Sequence, residues 1–189
     1  MNANYRKTDS LAYATGSFKT ILEEVNLRWT DNTSKIIELG KQVDFEISKA
    51  LQKRQDTKQL KQEIISNLSN LGKLYSSIDE INKEKIDLMI EMEGLDFPLK
   101  TPRKILKQCK EEKKIADLLE NFTSNLSKTV TFIENGITEE ELIENSLNSF
   151  ITTFNEFKEI VDLGSQLNSH LEEELDKEHK KARKYLGIV

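Results

Sequence analysis

Two histidines are the side chains best suited to hold a metal, and their spacing argues against a metal centre. His170 and His179 lie nine positions apart, and Leu167 and Asp176 stand three residues before them. A carboxylate-rich metal site in a helical bundle needs Glu-x-x-His pairs projecting into its core. The chain has no such pair. We therefore expect neither a metal site nor any other cofactor.

A single cysteine, Cys109, is the best nucleophile in the sequence. It falls on the apolar seam of a predicted helix, where a small core residue is the expected role and a reactive thiol the alternative. One cysteine allows neither an internal disulfide nor a cysteine-based zinc cluster. The chain also lacks GxGxxG and GxxxxGK phosphate loops. The sequence therefore predicts a protein that is not an enzyme.

The stretch TPRK, from Thr101 to Lys104, has the form of a proline-directed phosphorylation site followed by basic residues. Thr101 is also a good N-cap, and Pro102 suits the first position of a helix. The two roles are compatible, because Arg103, Lys104 and the helix N-terminus would all favour a phosphate. We predict a helix cap at Thr101 and treat its phosphorylation as a hypothesis.

The two prolines, Pro98 and Pro102, mark a corner between two predicted helices. Gly94 can end the helix before them, and Pro98 cannot continue it. A third helix then begins at Pro102 and continues to about residue 135. A capping box at Thr138 and Glu141 begins the fourth helix, which extends to about residue 186. Short connections of this kind place neighbouring helices antiparallel.

The first half of the chain predicts one short and one long helix. Apolar residues every three or four positions indicate a helix from about Ser10 to Trp29, and TDNT at 30–33 offers a stop and a new cap. A second helix of about 60 residues follows, from Ser34 to about residue 93. Its seam becomes polar over Gln52–Gln59, and whether the helix continues through 52–59 is left open.

The fold class follows from these elements: an all-α, elongated antiparallel bundle or coiled coil of four helices, with a projecting C-terminal helix. We expect a helical hairpin at 1–60, a three-helix bundle at 61–172 and a charged extension at 173–189. The fourth-helix stripe of Phe150, Phe154 and Phe157 has core spacing, although a partner groove is the alternative.

Composition narrows the choice of partners. The net charge is −5, and only five of the 28 basic residues are arginine, which argues against nucleic-acid binding. The chain has no apolar run long enough to span a bilayer and no signal-peptide pattern. We expect a soluble intracellular protein, cytoplasmic or nuclear.

The expected function is that of a structural or adaptor subunit whose exposed heptad surfaces dock other helical proteins in a hetero-oligomer. Self-association is also compatible with the pattern. In outline the chain resembles the rod subunits of kinetochore and vesicle-tethering complexes, a likeness of style without a shared motif. The expected docking surfaces are the first hairpin and the C-terminal helix. The candidate residues are Trp29, Arg54, Lys58, Leu175, His179 and Tyr185.

Two other functions remain open. A BAR-like peripheral membrane module would need a basic face. Membrane contact is expected only through Lys177–Lys184, where acidic residues are also present. A helical bacterial effector is the other alternative.

Overall fold

The computed structural model describes residues 3–53, 58–94, 99–134 and 140–187, with side-chain surroundings for most of them. Those ranges contain no strand, and the prediction of an all-α bundle of four helices is confirmed. The helices are α1 (Ala3–Lys53), α2 (Lys58–Gly94), α3 (Thr101–Glu134) and α4 (Glu140–Leu186).

The predicted helix break at 30–33 is wrong, because α1 is continuous through these residues. Asn32 and Thr33 are buried, and the Asn32 side-chain amide donates a hydrogen bond to the Leu74 carbonyl oxygen at 3.2 Å. These polar side chains therefore serve packing against α2 rather than a turn. The long helix of the first half is α1, which ends at Lys53, and α2 begins at Lys58.

The two later boundaries agree closely with the sequence. The helix α2 ends at Gly94, and α3 begins at Thr101, one residue before the predicted start. The helix α4 begins at Glu140, inside the predicted capping box. Thr138 itself lies outside the described residues. Proline is a reliable signal for the start of a helix, because its fixed φ and missing N–H suit the first turn.

The chain divides into two compact units, and each unit draws on all four helices. Unit 1 comprises Met1–Thr30, Ile81–Lys110 and Asp162–Val189, and unit 2 comprises Asp31–Glu80 and Glu111–Val161. The predicted segments 1–60, 61–172 and 173–189 instead follow the order of the chain.

Unit 1 has an apolar core to which its four helix segments contribute. The helices α1 and α4 are antiparallel there, because residues 15, 19 and 26 of α1 contact residues 179, 176 and 172 of α4. The prediction that Cys109 is a core residue is confirmed. The buried cluster comprises Phe18, Leu22, Leu88, Met89, Met92, Ile105, Cys109, Leu171 and Leu175.

Unit 2 is built around aromatic residues. The Phe150 and Phe154 rings stack at a centroid distance of 5.7 Å, and Tyr75 meets Phe157 edge to face at 6.3 Å. All four side chains are buried, so the core prediction for the fourth-helix stripe is confirmed. Burial raises the pKa of Tyr75, although the nearby Thr123 hydroxyl offsets part of the rise.

The predicted unpacked extension at 173–189 needs correction for its described residues. Leu175 and Ala182 are buried, and Lys19 and Thr15 of α1 contact α4 at Asp176 and His179. In the predicted hairpin at 1–60, the first helix folds back over the second. Because α1 is continuous instead, its N-terminal half is available to pair with the end of α4.

Candidate partner-docking surfaces

Trp29 is a core residue of unit 1, and its prediction as an exposed anchor is wrong. Its side chain is 2% exposed, and the Lys85 ammonium lies 4.4 Å from the ring centroid. A Cβ added to Gly164 would lie 2.9 Å from the indole Cζ2. Trp29 lies on the inner face of α1 with Phe18, Leu22 and Val25. The helix α1 continues beyond Trp29, so this residue lies within the helix and not at its end.

The candidate residues of the polar seam fall partly outside the described ranges. Arg54 lies outside them altogether. Lys58 is the first residue of α2, and the surroundings of its side chain are not among those described. Their docking role stays a prediction.

The C-terminal candidates differ in exposure. Leu175 is buried in the core of unit 1. His179 is half-buried, and its Nδ1 lies 3.1 Å from the Thr15 hydroxyl oxygen. Tyr185 is 63% exposed. Among the predicted partner residues whose side chains are described, Tyr185 is therefore the one with a largely solvent-exposed surface.

Thr101 begins α3 but does not cap it with its own hydroxyl. The Thr101 backbone N–H donates to Glu174 Oε2 at 3.2 Å, so a carboxylate from α4 provides the cap. The Thr101 hydroxyl is buried and has no hydrogen-bond partner among the described residues. A phosphate there would face the Glu174 carboxylate in a buried position, so these surroundings oppose phosphorylation. Arg103 pairs instead with Glu93 at 2.7 Å.

Unit 1 also buries polar groups. Gln108 and Lys85 are buried beside Trp29, and Asn82 is buried on α2, one turn before Lys85. Neither side-chain amide atom of Asn82 has a hydrogen-bond partner among the described residues. A buried amide without partners costs about 1–3 kcal/mol.

Replacing Asn82 with leucine should therefore raise the free energy of unfolding by about 1 kcal/mol, because an apolar group of similar volume removes the desolvation cost. Denaturant titration followed by circular dichroism measures the change. Asn121→Leu, at an exposed position of α3, is the matched control and should be nearly neutral. Destabilisation by Asn82→Leu beyond the control would contradict the prediction.

Sequence reasoning missed an exposed apolar stripe on α1 in unit 1, which we call the α1 outer stripe. It comprises Tyr13, 82% exposed, and Leu27, 72% exposed. They are two heptads apart, so they share one face of the helix. That face is opposite the core positions Phe18 and Leu22. Their separation of two heptads on the face opposite the core seam was the signal available in the sequence.

Lys19 and Asp176 form the best-defined ion pair between α1 and α4, with Nζ 2.7 Å from Oδ1. The hydrogen bond from Lys19 holds the pKa of Asp176 below its ordinary value of 3.8. The same contact raises the pKa of Lys19 above 10.5. Glu23, Glu172, His179 and Lys180 add smaller charge effects.

This pair predicts a pH window of stability. The contribution of Asp176 is present above its unfolded pKa and is lost as pH falls through the folded pKa. That of Lys19 is present below its unfolded pKa and is lost as pH rises through the folded pKa. The full contribution therefore spans about pH 5 to 9.

Asp176→Asn should flatten the fall in Tm between about pH 5 and 2. The effect should be small, because both side chains are more than a third exposed. Asp162→Asn, at another exposed position of α4, is the control. Equal acid sensitivity of the two variants would contradict the assignment.

Basic residues are concentrated at the end of α4. Lys177–Lys184 contains five lysines and arginines and one glutamate, within a chain of net charge −5. Over the described ranges, no helix has the length and apolarity needed to cross a membrane. The same ranges contain no group of three or more His, Cys, Asp or Glu side chains placed to hold a metal ion.

No family model matches this chain, and no curated protein matches it in sequence. The fold itself defines the class as an all-α four-helix bundle, and several of its large apolar side chains are exposed.

Proposed function

We propose that this chain is a non-enzymatic structural or adaptor subunit that docks partner helices in a larger assembly. The observation that carries the proposal is the α1 outer stripe. Tyr13 and Leu27 leave large apolar surfaces in water at heptad spacing, although the core of unit 1 lies on the opposite face. A helix partner could bury both side chains by coiled-coil packing.

The proposed setting is a hetero-oligomer, kinetochore- or tether-like in style, in the cytoplasm or nucleus. The single cysteine and the excess of lysine over arginine are compatible with an intracellular protein that binds other proteins rather than nucleic acid. Self-association through the same stripe is the variant of the proposal that a mass measurement would identify.

Native affinity purification of the tagged full chain at moderate salt, with mass spectrometry of stoichiometric partners, tests this function. We expect partners that co-elute with the wild type and are lost from Tyr13→Ser/Leu27→Ser. The control is Leu163→Ser, which alters an exposed apolar side chain on α4 and should retain them. A wild-type chain recovered alone and monomeric would contradict the proposal, as would partners indifferent to the double change.

A peripheral membrane module is the second candidate, favoured by the basic residues of Lys177–Lys184. Polybasic segments bind anionic lipid surfaces by about 1 kcal/mol for each lysine or arginine near the surface. Flotation with vesicles that contain phosphatidylserine would test it. Capture of the wild type, and its loss after lysine-to-glutamate replacement, would support this candidate over the first.

A further inference from the structure

The core seam of α4 continues to the end of the helix. Leu171, Leu175, Glu178, Ala182 and Tyr185 follow one another at spacings of four and three, so they share a face. The two leucines and Ala182 are buried, and Glu178 is half-buried. Tyr185, the next member of the seam, is largely exposed. The seam therefore extends to Tyr185, beyond the part of α4 that is buried.

The start of α3 explains where this cover ends. Thr101, the first residue of α3, donates its backbone N–H to Glu174. Tyr185 lies about three turns of α4 beyond Glu174. Within the described residues, α3 therefore has no part that could cover Tyr185.

The flank of α4 on the Glu174 side of the seam is basic. Starting from Glu174, positions three, seven and ten residues later face the same side of the helix, and all three are lysines. These residues, which we call the lysine flank, are Lys177, Lys181 and Lys184. Lys177 and Lys181 have exposed side chains, and Lys184 is exposed too.

Acidic neighbours on α4 compensate this flank only in part. Lys177 pairs with Glu173 at 3.9 Å, and both side chains are about two-thirds exposed, so the pair is weak. Lys181 pairs with Glu178 of the seam. No acidic residue follows Glu178. The last turns of α4 thus present the exposed Tyr185 side chain beside an excess of positive charge.

We propose that an acidic amphipathic helix of a partner protein docks against the end of α4, beyond the start of α3. Its apolar side chains cover Tyr185, and its carboxylates meet the lysine flank. This inference rests on the proposed function, because it names the chemistry of one partner helix and its register on α4.

Charge and shape favour this occupant over two others. A second copy placed symmetrically would bring one lysine flank against another, and like charges in contact are destabilising. An anionic membrane is a continuous anionic surface, so it would bring headgroups against Glu178 as well as against the lysines, and like charges in contact are destabilising. An acidic helix can instead place carboxylates on the flank and small apolar side chains on the seam.

The probe is a fluorescein-labelled synthetic peptide helix with leucines in its heptad seam and glutamates beside them. Its binding to the full chain is followed by fluorescence anisotropy. We expect Lys177→Glu/Lys181→Glu/Lys184→Glu to weaken binding about tenfold or more, with salt weakening it as well. Tyr185→Ser should weaken it several-fold. Phe45→Ser, at an exposed aromatic residue of α1, is the matched control and should bind like the wild type.

The other outcomes overturn the inference. These are no binding of the glutamate peptide, equal binding of a matched peptide with lysines in place of its glutamates, and equal binding by the triple variant. Binding confined to phosphatidylserine vesicles would favour the membrane. A dimer in sedimentation that Tyr185→Ser abolishes would favour a second copy. A circular dichroism spectrum of Tyr185→Ser that matches the spectrum of the wild type would establish that the variant retains the fold.

The two proposals fail separately. Native partners that are lost from Tyr13→Ser/Leu27→Ser but kept by Tyr185→Ser and by the triple variant would uphold the adaptor function and overturn the inference about α4. A chain without helical partners in any form would overturn both.

Discussion

Replacing Trp29 with alanine is expected to lower the free energy of unfolding by about 3–5 kcal/mol, the usual cost of truncating a large buried aromatic side chain. The indole ring lies between the Lys85 ammonium and Gly164, and it is almost fully buried. Its removal leaves a cavity that backbone on the Gly164 side cannot readily fill. Denaturant unfolding followed by circular dichroism measures the loss.

Leu27→Ala is the matched control, because Leu27 lies two residues away on the same helix but is mostly exposed. It should change stability by no more than about 0.5 kcal/mol. Equal losses of stability for the two variants would contradict the burial of Trp29.

Fluorescence of the wild type checks the same point independently. Trp29 is the sole tryptophan of the chain. Its emission should be blue-shifted and weakly quenched by acrylamide in the folded protein, and both properties should reverse on unfolding.

Gly40→Ala should produce the second large loss, in unit 2. A Cβ at Gly40 would lie 2.4 Å from two carbons of the Phe154 ring, closer than such atoms can approach. The ring is held in a stack with Phe150, so it has little room to move. Overpacking of this kind costs about 1–3 kcal/mol, and the higher helix propensity of alanine offsets only part of it.

Gly72→Ala supplies the control for Gly40→Ala. A Cβ at Gly72 would meet nothing within 4 Å, and the residue lies inside α2. Alanine should therefore stabilise that helix by about 0.5–1 kcal/mol. The two variants should shift Tm in opposite directions, and a stabilising Gly40→Ala would refute the close contact between α1 and α4.

The sequence predicted the features that depend on local rules. Gly94 and Pro102 act on their own backbone, so the α2–α3 corner fell within a residue of its predicted place. Phe150, Phe154 and Phe157 recur at helical spacing, so their shared burial could be read from periodicity alone.

The continuity of α1 through residues 30–33 could not be predicted in this way, because asparagine and threonine side chains can either cap a helix or make a buried contact. The side chains of TDNT suit a helix cap, but they suit a buried hydrogen bond between helices equally well. Asn32 takes the second role through the Leu74 carbonyl, and only tertiary contact decides between them. The prediction that Trp29 is exposed was wrong for the same reason, because it assumed that the first helix ends at this residue.

The docking surfaces were predicted least well. Apolar residues spaced three and four positions apart indicate the core face of a helix. This pattern does not identify Tyr13 and Leu27, which lie on the opposite face. Tyr185 was identified as a candidate from charge and position. Its exposure depends on where α3 begins, which is set by the contact between Thr101 and Glu174.

The contact between Thr15 and His179 joins residues 164 positions apart in the chain. During synthesis the α1 side of this contact therefore leaves the ribosome 164 residues before its α4 side. Unit 2 has its whole sequence by residue 161 and can close earlier. A chain that stops before residue 179 lacks the His179 side of this contact, so it leaves this part of the inner face of α1 exposed to chaperones and proteases.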